Sequence, residues 1–165
     1  MGFQALQVEK TVRGVKASVK SFEQIDLDDG EVLIQAHYSS LNYKDALAVT
    51  GQGPILRKFP LIAGVDVAGH VVSSSSKSWK PGDRVAVTGC GLGESHNGGF
   101  SEFLRVPSKW VVPVPEFLNP RQMMLLGTAG FTAALAFHRL TLNGLKSGER
   151  EVVITGASGG VGSLA

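Results

Sequence analysis

Gly156, Gly159 and Gly162 form a G-x-x-G-x-x-G pattern directly after the apolar run "EVVIT" at 151–155. Glycines at that spacing suit the approach of a diphosphate to bare backbone. The first lets the chain turn sharply out of a strand. The middle one, with its neighbour Gly160, removes side chains where the pyrophosphate would come near. The third lets the following helix pack closely. That helix would also offer free N–H groups and a partial positive charge at its N-terminus. The residue that reads the adenosine ribose belongs about 20 positions further on. No such position exists here, so the motif by itself leaves NAD and NADP open. Other chemistry is thin. The four histidines, His37, His70, His96 and His138, have no ligand pattern around them. The single cysteine, Cys90, excludes an internal disulfide and a multi-cysteine zinc lobe. With no flanking base or cation it reads as inert packing.

The elements that must position this loop are legible in the pattern. Residues 1–115 read as mostly strands. "EVLIQAHYS" (31–39) alternates with period two, and "VDVAGHVV" (65–72), "RVAVTG" (84–89), "SEFLRV" (101–106) and "WVVPV" (110–114) are short apolar runs. Turn residues separate them: Pro81-Gly82-Asp83, Asn97-Gly98-Gly99, Pro107-Ser108. Short strands at this spacing predict a small barrel or sandwich. From 119 to 144 the spacing turns helical, with Asn119 as the cap and Pro120 in the first helical position. Gly127 and Gly130 predict a break or kink in the middle, and Asn143-Gly144 an end. "EVVIT" then suits a buried strand of a parallel sheet.

Composition narrows the function classes. Hydrophobic residues make up 43% and charged residues 18% of 165 positions, and the formal net charge is +2. That fits a globular protein. Lys and Arg are scattered without a run, so no nucleic-acid footprint is expected. The N-terminus lacks the apolar core of a signal peptide. No apolar stretch is expected to reach the ~18–20 residues that span a bilayer, and the default location is cytoplasmic.

Four segments carry a family resemblance: "SSLNYKDALAVTGQGP" (39–54), "PLIAGVDVAGHV" (60–71), "PGDRVAVTGCGLGESHNGGFSE" (81–102) and "LGTAGFTAALA" (126–136). With these the whole chain resembles the medium-chain dehydrogenases/reductases. Within them it is similar to the zinc-free quinone oxidoreductase and acryloyl-CoA reductase branch. The resemblance implies a mixed α/β fold. A chaperonin-10-like (GroES-like), partly open barrel occupies 1–118. A connecting helical segment fills 119–150, and the first strand and glycine loop of a Rossmann domain fill 151–165. Since the family continues through most of a Rossmann domain, the chain looks like a C-terminally truncated product or a partial sequence.

The same resemblance implies NADPH as cofactor, an enoyl thioester such as acryloyl-CoA or an enone as substrate, and a homodimer in the full-length form. Quinone reduction on the same scaffold is an alternative. So is a ligand-binding barrel without catalysis, because most of the cofactor domain is absent. It also assigns residues. Tyr43 lies beside the nicotinamide and the cofactor phosphates, Asn42 holds the substrate carbonyl, and Thr132 sits near the nicotinamide amide. Ser158, Gly159, Gly160 and Val161 line the pyrophosphate through their backbone. Zinc-dependent relatives place a cysteine and a His-Glu pair where this chain has Asn42 and Val65-Asp66, so a metal-free site is implied. Asp66 then either orients water or Lys44, or is simply a buried partner for Lys44. Lys44-Asp45 reads equally as a local surface pair.

Overall fold

The computed structural model describes residues 2–165. The chain opens with a hairpin of two ten-residue strands, β1 (Gly2–Thr11) and β2 (Gly14–Glu23). Six further strands follow: β3 (Val32–Tyr38), β4 (Leu61–Ile62), β5 (Asp66–Ser74), β6 (Arg84–Thr88), β7 (Phe103–Val106) and β8 (Val112–Pro113). A short helix, α1 (Tyr43–Thr50), lies between β3 and β4. After β8 come α2 (Pro120–Leu142) and α3 (Gly160–Leu164). The strands form two sheets, in the orders β2-β1-β4 and β7-β3-β5-β6-β8, with every pairing antiparallel. The barrel expected from the strand spacing is thus built from a three-stranded and a five-stranded sheet.

Period two decides what each strand faces. In β5, Val67 and Val71 join Val32, Ile34, Val85, Val87, Leu104 and Val106 in the main apolar core. Each such side chain, fully buried, contributes about 1.5–3 kcal/mol. On the opposite face of β5, Ala68 packs with Ala86, Val114 and Met124 of α2. Small side chains at 68 and 86 bring the helix close to the sheet. Asp66 shares the Ala68 face, so the same alternation that fills the barrel turns this carboxylate toward α2. A second apolar cluster, Phe3, Ala5, Ile62 and Phe103, joins the two sheets.

α2 begins as its residues predict. Asn119 accepts the N–H of Gln122 at 2.9 Å, the Gln122 side chain accepts the N–H of Asn119 at 2.9 Å, and Pro120 is the first helical residue. The predicted break falls at Gly127, where φ is 49° and ψ is −151°. By length and composition α2 does reach what a bilayer span requires, with mean hydropathy 1.2 in its best window. This corrects the expectation that no stretch does, since scattered glycines, alanines and threonines hide how few charges the helix carries. Here α2 packs on β5 and β6 through one face and leaves Phe131, Leu135, Phe137 and Leu140 exposed on others.

Two other expectations change. Residues 151–154 belong to neither sheet, and Val152, Val153 and Ile154 are exposed. A strand needs a hydrogen-bonded neighbour, and among the described residues none lies beside this run. Cys90 is exposed in a turn at φ 55°, between Gly89 and Gly91, rather than packed.

Candidate active-site cleft

The Asp66 carboxylate is fully buried and gathers donors from two segments of chain, the loop before α1 and the middle of α2. Its Oδ2 accepts from Asn42 Nδ2 at 2.8 Å, from the backbone N–H of Thr128 at 2.9 Å, and from Ser40 Oγ. Its Oδ1 accepts from Thr128 Oγ1 at 2.6 Å. The backbone carbonyl of Asp66 takes the Ser39 hydroxyl at 2.6 Å. Asn42 Nδ2 also donates to Ser40 Oγ at 3.1 Å. A primary amide has two N–H donors. Asp66 Oδ2 and Ser40 Oγ are themselves hydrogen-bonded and lie in nearly one direction from Nδ2, so they share one N–H of Asn42, and its second N–H is held by neither. No buried side-chain nitrogen or oxygen among the described residues lacks a partner.

The loop that carries these groups comes directly after a bulge. The β3–β5 register shifts between Ala36 and Tyr38, leaving His37 without an opposite residue. A bulge bends its strand and re-aims the chain beyond it, which here is the segment 39–43. Helix α1 then starts at Tyr43, with Asn42 as its cap and Gly51 ending it at φ 69°. Asp45, in the first turn, accepts the N–H of Asn42 at 2.8 Å and that of Val65 at 3.0 Å. Burial pushes the Asp45 carboxyl above its ordinary range. The bonds from Asn42 and Val65 oppose this, and the charge of Asp66 adds to the rise.

Lys44 does not meet Asp66 or Asp45. It pairs with Glu94 at 2.7 Å, which ties α1 to the 91–97 loop. Ser40, Asp45 and Thr128 are members of the cluster that the sequence did not single out. The signals for the first two were an Asn-x-x-Asp cap at 42–45 and hydroxyls just before it.

A cavity of about 500 Å³ opens beside the cluster. Ser39, Ser40 and Asn42 form one wall, Met124, Leu126 and Ala129 of α2 a second, and Gly160 and Ser163 of the glycine turn a third. An added Cβ on Gly160 would lie 3.5 Å from the Ala129 Cβ, so α3 sits against α2 in van der Waals contact. Within the turn, a Cβ on Gly162 would fall 2.3 Å from the Gly156 carbonyl oxygen. The third glycine is therefore required by the loop folding on itself. The bend has glycine at 156, 159 and 160 and is open to solvent over 156–161, which suits a diphosphate.

Of the sequence-derived candidates, Asn42 and Asp66 are hydrogen-bonded to each other, and Gly160 lines the same cavity as Asn42. Ser158, Gly159 and Val161 lie in the exposed bend. Tyr43 is 80% exposed at the start of α1, and its hydroxyl has no partner among the described residues. The Thr132 hydroxyl donates to the Thr128 carbonyl at 2.7 Å, within α2. No group of three or more His, Cys, Asp or Glu able to hold a metal occurs among the described residues.

A two-sheet barrel leading into a kinked helix and a glycine turn defines a class, and comparison with known proteins gives the same one. Residues 28–116 match the alcohol dehydrogenase GroES-like domain, and the chain belongs to that family, in the medium-chain dehydrogenase/reductase superfamily and its YhfP/AcuI branch. Among its relatives is the acrylyl-CoA reductase AcuI of Ruegeria pomeroyi, 47% identical over 165 residues, 99% of this chain and 50% of that protein. Among solved structures, the YhdH oxidoreductase of Salmonella enterica in complex with NADP has 48% identity and a TM-score of 0.95, over 98% of this chain and 50% of that one. Bacillus subtilis YhfP with NAD bound has 48% identity and a TM-score of 0.93, over 99% and 50%. The chain spans about half the length of the relatives it matches.

Proposed function

We propose that this chain carries the substrate-side half, and the first cofactor-binding turn, of an NADPH-dependent reductase. Its substrate would be the activated C=C bond of an enoyl thioester of the acryloyl-CoA type. One observation carries the reading: Asn42 and Gly160, at the end of the glycine turn, line a single cavity. The name of the AcuI relative and the NADP held by the YhdH relative support it.

A nicotinamide dinucleotide held at this bend supplies a hydride. The backbone of Ser158, Gly159, Gly160 and Val161 would hold its diphosphate, and Thr132 and Tyr43 belong beside its nicotinamide end. Addition at the β-carbon builds negative charge on the thioester oxygen, and a donor placed there is worth roughly 3–4 kcal/mol. Asn42 has one N–H that neither Asp66 nor Ser40 holds, which makes it a candidate donor for that task. The unpartnered Tyr43 hydroxyl is a second donor on this loop, and the two together suit the oxyanion role. Asp66 keeps Asn42 in place, and the enolate takes up a proton at its α-carbon to complete the reduction.

The test is a chimera in which this chain continues from Ala165 into the second half of R. pomeroyi AcuI. NADPH consumption with acryloyl-CoA, and little with a benzoquinone, is the expected result. Consumption with the quinone alone would move the function to quinone reduction. Tyr43→Phe should lower kcat about 10²–10³-fold, as loss of an oxyanion donor does. An unchanged kcat would remove Tyr43 from that role.

A further inference from the structure

We propose that Asp66 is a positioning residue that caps the second half of α2 from outside the helix and so sets the angle at which the glycine turn faces Asn42 and Tyr43. The proposal takes the cavity between Asn42 and the glycine turn as the reaction cleft, and so rests on the proposed function for its setting, but a different observation carries it. An uninterrupted α-helix directs each N–H to the carbonyl four residues back. The backbone of Gly127, at φ 49° and ψ −151°, breaks that ladder and makes Thr128 the first residue of a new helical segment. First-turn N–H groups need an outside acceptor, and an anion is the favoured one. Asp66 Oδ2 takes the Thr128 N–H at 2.9 Å, and Oδ1 takes its hydroxyl at 2.6 Å. Asp66 stands 62 residues away in sequence, on the first position of β5, so this cap joins the barrel to the helix.

The same Oδ2 holds Asn42 and Ser40. The loop bearing Asn42 and Tyr43 and the segment of α2 bearing Ala129 are therefore registered on one carboxylate. The next contact outward is Ala129 with Gly160. A rotation of the second half of α2 must carry the glycine turn with it, and it must break a bond to Asp66 to begin. Gly127 is fitted to this arrangement: a Cβ there would lie 2.8 Å from both Asp66 Oδ2 and Ser40 Oγ. The break and the carboxylate therefore occur together.

The chain supplies its own probe. Cys90 is the single cysteine and is exposed on the barrel side, and Leu142, 65% exposed, ends α2. A spin label on Cys90 and another on Leu142→Cys report the barrel-to-helix distance by pulsed electron resonance, with no cofactor or substrate present. In the otherwise unaltered chain one narrow distribution is expected. Thr128→Val, which keeps the N–H but loses the hydroxyl bond, should widen it at least two-fold, and Thr128→Ser should restore it. Asp66→Asn should widen it further. If that variant does not fold, the Thr128 pair decides. A purely stabilising contact would shift the urea midpoint of Thr128→Val and leave the width of the distribution unchanged, and that result overturns the proposal. The measurement is blind to the reaction catalysed, so it can fail while the proposed function stands, and the reverse.

Discussion

Asp45 and Val65 are joined across 20 residues of sequence: the buried Asp45 Oδ1 accepts the Val65 N–H at 3.0 Å, while Oδ2 holds the N–H of Asn42. One carboxylate thus fixes the start of α1 to the strand segment that delivers Asp66. Asp45→Asn keeps one acceptor oxygen and turns an NH₂ toward the other N–H. A buried donor left facing a donor costs about 1–3 kcal/mol, and that loss is expected in urea unfolding. No change in midpoint would mean that water replaces the lost bond.

The same residue gives a pH dependence of defined sign. Burial raises the folded-state pKa of Asp45 above its ordinary 3.8. Between 3.8 and the raised value the folded chain holds a proton that the unfolded chain has lost. The stabilisation is complete below that interval and is lost as pH climbs through it. Subtracting the stability–pH curve of Asp45→Asn from that of the unaltered chain should leave a difference that falls as pH rises there. A rising difference would contradict the assignment.

Much of the barrel was legible because its strands alternate cleanly. Val32 and Ile34, and Val67 and Val71, point inward as period two requires. The α2 cap and its break at Gly127 were legible too, since Asn-Pro and an in-helix glycine each have one strong local meaning. The site was half legible. Asn42 and Asp66 were singled out, but as separate groups. What joins them is Thr128, whose N–H is free only because of a break one residue earlier, and sequence spacing does not show which strand faces that break. Lys44 was misdirected for the same reason. Its partner, Glu94, is 50 residues away on a loop brought near only by the fold. The run 151–155 illustrates the converse: β propensity marks a strand, but the neighbour that completes it is a tertiary matter.

Gly127→Ala tests the kink. Its φ of 49° with ψ near −151° is a region essentially reserved for glycine, and an alanine there costs about 1–3 kcal/mol in backbone strain alone. The added methyl would also press on Asp66 Oδ2 and Ser40 Oγ at 2.8 Å. The urea midpoint should drop by at least the strain cost, and the Thr128 amide should lose hydrogen-exchange protection. A variant as stable as the parent, with Thr128 still protected, would show that α2 can straighten without loss.

His37 and His70 lie with ring centroids 4.5 Å apart on adjacent strands. Burial depresses the His70 pKa below the ordinary 6.5, and the charges of His37 and Arg84 add to the effect. The unfolded chain therefore binds the extra proton first. Stability from this group is present above 6.5 and is lost as pH falls through the lowered value. In NMR titrations His70 should titrate below 6.5. His37→Ala should raise it only part of the way, because burial is the larger cause. Full return to 6.5 would mean that the charge of His37, rather than burial, holds the ring down.

The outer face of α2 and residues 151–154 together expose a run of large apolar side chains. It lines a trough of about 940 Å³ that includes Phe131, Phe137, Leu140, Val152, Val153 and Ile154. Single exposed apolar side chains are ordinary, but a contiguous patch drives association and takes up hydrophobic dyes. Phe137 is 67% and Val153 86% exposed, so charges there disturb little packing and should shift stability by no more than about 0.5 kcal/mol. The double variant Phe137→Glu, Val153→Lys should therefore lose most dye fluorescence and sediment as a smaller species at the same concentration, with its urea midpoint unchanged. If dye binding persists at full strength, the trough is not where the dye binds. If the midpoint falls, the two side chains are packed in solution rather than exposed.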